Sequence, residues 1–292
     1  MALLWPDVQV DAVTVVAGNV PLAQAVTNAL VTLDVVGRPD VPVHAGCDRP
    51  LVRPLGTAQE VHGADGMGDM GLPVPSRGPT PGHAVDVLRE MADGTRTLVT
   101  LGPLTNVAAA LARDRSVLSR YQRVVCMAGS PDAVGNVTPL GEFNVWADPE
   151  ATAMVLSAEA DITFVGWNIS RLRAVMTPER AARLAALDTP LARFVRDINV
   201  HVAEFCATVT GLAGYDLPDP IAMAIALDPT IATAVTRHHV SVALDEICRG
   251  QTIVDHRLTS EPPNCSVVWD ADEEAFFERL FEACAQPVGQ WR

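Results

Sequence analysis

Ala12-Val13-Thr14-Val15-Val16-Ala17-Gly18-Asn19 is apolar and rich in β-branched residues, and it stops abruptly at Gly18-Asn19. Such a run reads as a buried strand. Leu22–Val36 follows at once with helical spacing, its apolar residues at Leu22, Val26, Ala29, Leu30 and Leu33. A strand that ends on glycine and passes into an amphipathic helix is the repeating unit of a parallel sheet.

The unit recurs outward from there. Pro42–Ala45 is a second short strand, and Gly46–Gly82 is a long loop rich in glycine and proline. Loops of that length are usually functional or disordered. His83–Asp93 reads as a helix, Thr97–Leu101 as a strand, Thr105–Arg113 as a helix and Arg123–Ala128 as a strand ended by Gly129. Asp148-Pro149-Glu150 opens a helix with an N-cap aspartate and proline at the first helical position. Ile162–Gly166 is a further strand, and Thr177-Pro178 and Thr189-Pro190 each start a helix. Asp219-Pro220 begins a helix through Ala226 with Asp219 as its N-cap. Val240–Leu244, Thr252–Asp255 and Ser266–Trp269 are short strands, and Asp272–Ala285 is a closing amphipathic helix. The expected fold is α/β, an open and mostly parallel central sheet with helices on both faces, in one domain over residues 1–292. In such sheets ligands bind at the carboxyl ends of the strands, where Asn19, Leu101-Gly102 and Gly129-Ser130 fall.

Composition narrows the function. The net charge of −14 argues against a nucleic-acid polymer as partner. No apolar run reaches the length of a membrane span, and Met1–Pro6 lacks the basic region and cleavage site of a signal peptide. Six scattered cysteines without a CxxC pair read as reduced thiols of a cytoplasmic protein and make a zinc site improbable.

The densest polar segment is Gly135–Asp148, GNVTPLGEFNVWAD, with one carboxylate and two amides in nine residues. In an extended backbone Glu142 and Asn144 face the same side, and Asn136 arrives from the preceding loop. A carboxylate accepts from two hydroxyls and each amide both donates and accepts, a set suited to a vicinal diol. The alternative is a polar hairpin with a local hydrogen-bond network.

GNVTPLGEFNVWADPEA resembles the ribose-binding segment of the inosine–uridine-preferring nucleoside hydrolase family. VTVVAGNV at Val13–Val20, EVHGADGMG at Glu60–Gly68 and LGPLTNVAAAL at Leu101–Leu111 agree in the family's order, and LPDPIAMA at Leu217–Ala224 agrees in part. The resemblance implies hydrolysis of the N-glycosidic bond of ribonucleosides through an oxocarbenium-like state, with calcium binding a water and the ribose hydroxyls. It implies Asn19, His62, Asn136, Glu142, Asn144 and Asp219 as substrate-binding residues. It implies Asp219 and the Leu101 carbonyl as calcium ligands, and a homodimer or homotetramer.

Two departures qualify it. The family's DTDPGxDDA run, source of two calcium ligands, a ribose contact and the general base, is absent, so the chain is expected to start after that run and to be impaired as a catalyst. No catalytic base is therefore assigned. Pro218 also stands where many members carry the histidine that protonates the departing base. Asp216, Tyr215 or His201 are candidate replacements, and Trp167 is a candidate for stacking on the base. Two rival readings remain: a non-catalytic nucleoside- or ribose-binding protein, and a metal-independent glycosyl-bond enzyme with Glu142 or Asp65 as base. The base preference is not legible.

Overall fold

A computed structural model describes residues 1–288. Among the described residues there are ten strands: β1 Val13–Val15, β2 Val43–Ala45, β3 Thr97–Thr100, β4 Arg123–Met127, β5 Ile162–Val165, β6 Val175–Met176, β7 Tyr215–Asp216, β8 Ala232–Val242, β9 Thr252–Asp255 and β10 Cys265–Ala271. The helices of the first half are α1 Leu22–Val36, α2 Gln59–His62, α3 Ala84–Glu90, α4 Thr105–Arg113, α5 Phe143–Ala147 and α6 Pro149–Leu156. Those of the second half are α7 Trp167–Arg173, α8 Pro178–Ala186, α9 Pro190–Ile198, α10 Val200–Phe205, α11 Pro218–Leu227 and α12 Glu273–Ala285.

The main sheet has the order β3-β4-β5-β10-β8-β9. Its first four strands are mutually parallel, and β8 and β9 are added antiparallel. Along β4 the residues alternate between two cores, as a pleated strand requires. Val125 and Met127 join Ile221, Phe276 and Phe277 on one face, while Val124 and Cys126 join Leu104, Val107 and Val155 on the other. The expected α/β class and the helices on both faces are what the structure has.

Helix ends follow local chemistry. Gly37 ends α1 in the left-handed region at φ 74°, its N–H bonding Asp34 O while Arg38 N–H reaches back to Leu33 O. Asp148, Thr177, Thr189 and Asp272 each accept from a backbone N–H of the helix they open.

Other segments differ from the sequence reading. Asp219 is not an N-cap, because α11 starts at Pro218 and Leu217 occupies that place without a side-chain bond. The first of the late strands begins at Ala232 rather than Val240, since β8 runs the length of β10. Helix α7 was not expected, and α2 interrupts the long loop.

Strands β1 and β2 form a parallel pair of their own. Among the described residues no ladder joins β1 to β3, so one edge of β1 is open. The two edges are tied only at their ends: Asp11 accepts from Arg96 Nε at 2.7 Å, and Gly18 lies against Pro103 so closely that a Cβ there would be 3.0 Å from Pro103 Cδ.

Candidate functional site

Strand β4 leads to Ala128 and Gly129 at its carboxyl end. Gly129 has φ 73°, and a Cβ there would lie 2.2 Å from Thr252 Oγ1, so only glycine fits. The freed Gly129 N–H donates to Glu142 Oε2 at 2.9 Å. Glu142 Oε2 also accepts from Val145 N–H at 3.2 Å, and Oε1 accepts from Asn144 N–H at 2.8 Å. Glu142 is thus the N-cap of α5. This corrects the extended reading of Glu142–Asn144, because a helix starts between the two residues and turns their side chains apart. A local hydrogen-bond network, the alternative reading of the segment, is present.

Glu142 and Asn144 nevertheless converge on the strand ends. Asn144 Nδ2 donates to Met127 O at 3.1 Å and to Leu101 O at 3.3 Å, and it lies 3.1 Å from Met127 Sδ. Asn136 Oδ1 accepts from Phe143 N–H at 2.9 Å, which brings the preceding loop onto the start of α5. Glu142 is 2 % exposed and Asn144 6 %. Burial pushes the Glu142 carboxyl up to about 7, against the pull of its three backbone N–H partners.

Asp219 sits in the first turn of α11 and is half-buried. Burial, then the negative charges of Glu142 and Asp216, push its carboxyl up to about 7. Glu142 and Asp219 are therefore electrostatic neighbours at one end of the sheet.

Asn19 and His62 form a second group. Asn19 is exposed beyond β1, and its carbonyl accepts from Ala58 N–H at 2.9 Å, just before α2. His62 ends α2 and is half-buried, and burial lowers its imidazole to about 4, so it is neutral at pH 7. Gly18, next to Asn19, abuts Pro103, two residues after Leu101.

The candidate replacements for the acid are engaged elsewhere. Asp216 Oδ2 accepts from Trp167 Nε1–H at 2.7 Å and from Ser170 Oγ–H at 2.8 Å. Trp167 is 4 % exposed, with the Arg171 guanidinium 5.5 Å from its ring centre, so it offers no open stacking face. Tyr215 is buried, and His201 Nε2 lies 3.3 Å from Asp69 Oδ2. Asp65 Oδ1 accepts from Met67 and Asp69 N–H groups and closes a turn. Sequence reasoning missed Met127, the Gly129 N–H and the Asp216 cluster. Only the position of Gly129 at a strand end signalled any of them.

Calcium takes six to eight oxygens. Leu101 O already receives Asn144 Nδ2, and the Glu142 oxygens hold three backbone N–H groups. Among the described residues no group of three or more His, Cys, Asp or Glu side chains could hold a metal ion. Asp219 and the Leu101 carbonyl, the two expected ligands, do not by themselves fit the ion. An apolar cavity of about 400 Å³ beside α1, lined by Leu22, Val26, Leu30, Val74 and Pro75, lies away from this group.

The family model described as inosine-uridine preferring nucleoside hydrolase matches residues 1–278. A pyrimidine-specific ribonucleoside hydrolase of Shewanella sp. strain MR-7 is 34% identical over 290 residues, covering 98% of this chain and 91% of that protein. Uridine nucleosidase 1 of Arabidopsis thaliana is 33% identical over 299 residues, covering 98% and 88%. A plant nucleoside hydrolase structure superposes with TM-score 0.92 at 31% identity over 98% of this chain and 93% of its own.

Proposed function

Since the chain belongs to the inosine-uridine preferring nucleoside hydrolase family, we propose that it acts on ribonucleosides and cleaves the N-glycosidic bond to release the base and ribose. The observation that carries this reading is the meeting of Glu142, Asn144 and the Leu101 carbonyl at the carboxyl ends of β3 and β4, with Asp219 within reach of the Glu142 charge. Asn136, Asn144 and Glu142 are suited to the ribose hydroxyls. Glu142 and Asp219, when ionised, would put negative charge where an oxocarbenium-like sugar develops positive charge. Asn19 and His62 are proposed to reach the ribonucleoside from the β1 side.

Calcium supplies a bound water and grips the ribose in the resemblance that motivates this reading. We derive no step through it, because the donor set described above is too small. We propose that efficient turnover needs more oxygen donors than Asp219 and the Leu101 carbonyl supply, so that turnover is impaired. The same donor count favours the second reading, a ribonucleoside-binding protein of this fold that does not turn over. One nucleoside hydrolase-like domain, a cytoplasmic setting and a homodimer or homotetramer complete the proposal. All six cysteines are free, in keeping with a reducing compartment.

The test is a reducing-sugar assay with uridine, cytidine, inosine and guanosine, with calcium and with chelator, beside calorimetric binding of the same compounds. Release of ribose supports the enzyme, and binding without release supports the second reading. Neither binding nor release would sink both.

A further inference from the structure

We infer that Asp216 is a positioning residue: its buried side chain clamps α7 to the strand that leads into α11, and so sets where Asp219 meets the ribonucleoside. The inference rests on the ribonucleoside reading above.

Asp216 is 8 % exposed. Its Oδ2 holds the indole N–H of Trp167 and the hydroxyl of Ser170, both on α7, and Cys206 Sγ lies 3.7 Å from Oδ1. Cys206 begins a π-helical turn, Cys206–Thr210, that continues α10. One carboxylate thus gathers donors from two elements remote from its own strand. Charge-assisted bonds of this kind are the strong ones.

Apart from the core packing of Leu217 and Ile221, few polar bonds hold the start of α11. Strand β7 is two residues long, pairing Asp216 with Val175, and Leu217 N–H adds one bond to Ala174 O. The N-cap, Leu217, makes no side-chain bond. Between the clamp and the site the chain is stiff, because Pro218 and Pro220 bracket Asp219 and proline fixes φ. A shift at Asp216 is passed on to Asp219 rather than absorbed.

The cluster is not a free acid. With two donors on Oδ2 and a thiol near Oδ1, its carboxylate faces protein. It is also absent from the motifs that carry the resemblance, which match Leu217–Ala224 only in part.

The test uses the full chain and calorimetric affinity for uridine and inosine. Asp216→Ala should weaken binding roughly tenfold, the loss expected when bonds to a charged anchor go. Asp216→Asn keeps a carbonyl oxygen that both donors can reach, and should restore affinity to within about twofold of the parent. In the double variant with Asp219→Ala, Asp216→Ala should add no further loss, since it acts through Asp219. If Asp216→Ala does not fold, Trp167→Phe removes one donor and should show the same dependence on Asp219. Additive losses, or an Asp216→Asn variant as weak as Asp216→Ala, overturn the inference.

The Trp167 indole N–H resonance, assigned by its loss in Trp167→Phe, gives a readout without ligand. It should move in Asp216→Ala and hold in Asp216→Asn. If the parent binds no ribonucleoside, the functional reading fails, and an unmoved indole signal would then overturn the clamp separately.

Discussion

Gly129 donates its backbone N–H to Glu142 Oε2 at 2.9 Å, joining the end of β4 to the start of α5. This bond turns Glu142 from a loop acid into a buried helix cap. It also limits how Glu142 can be changed.

Glu142→Gln replaces one acceptor oxygen with an NH2 group. That group meets the N–H of Asn144, or those of Gly129 and Val145, whichever way the amide is turned. A buried donor left unsatisfied costs about 1–3 kcal/mol. Both ribonucleoside affinity and stability should fall, the affinity by roughly tenfold or more. Calorimetric binding and a thermal melt check this, and an unchanged variant would remove Glu142 from the site.

The pH dependence of stability should carry a His62 signature. Burial lowers the folded imidazole to about 4, below its ordinary value of 6.5. Between those values the unfolded chain binds the proton more readily, so stability rises with pH across that window and is lost as pH falls through it. Glu142 works the other way: its raised value makes the folded chain the better proton binder between 4.5 and about 7, so its contribution falls as pH rises. Denaturant melts of His62→Gln and Glu142→Gln against the parent separate the two. His62→Gln should flatten the acid-side loss relative to the parent, and a parallel curve would refute the assignment.

Amide exchange should expose the open edge of β1. Val13 donates to Pro42 O and Ala17 to Cys47 O, so Thr14 and Val16 direct their backbone groups away from β2. Their amides should exchange much faster than those of Val124–Met127, which lie inside the main sheet. Equal protection would mean that another strand or segment covers the edge in solution.

Asp148 is fully buried and caps α6 through Ala151 N–H. Its Oδ2 also accepts from Thr105 Oγ1 at 2.6 Å and Leu51 N–H at 2.9 Å. Asp148→Ala loses the cap and strands two donors, a cost on the order of 2–4 kcal/mol from those contributions together. A chemical-denaturation midpoint unchanged from the parent would contradict that.

What the sequence determined by itself is local. The limits of α1, the caps Asp148, Thr177, Thr189 and Asp272, and the strand-then-helix alternation follow from bonds and periods within a few residues. The segments proposed for the site were read through their resemblance to the family rather than through local bonds. Tertiary structure decided the rest. Glu142 became a cap because Gly129, thirteen positions earlier, places an N–H against it. Asp216 was withdrawn from the list of acids by Trp167, forty-nine positions away. Strand β8 lengthened because β10 lies beside it, and β1 stayed unpaired toward β3 because only the ends of those strands meet. None of these partners lies within the span of a helix turn or a strand pleat. Only the packing of the whole chain brings them together, and that packing decides which polar atoms are left to face a ligand.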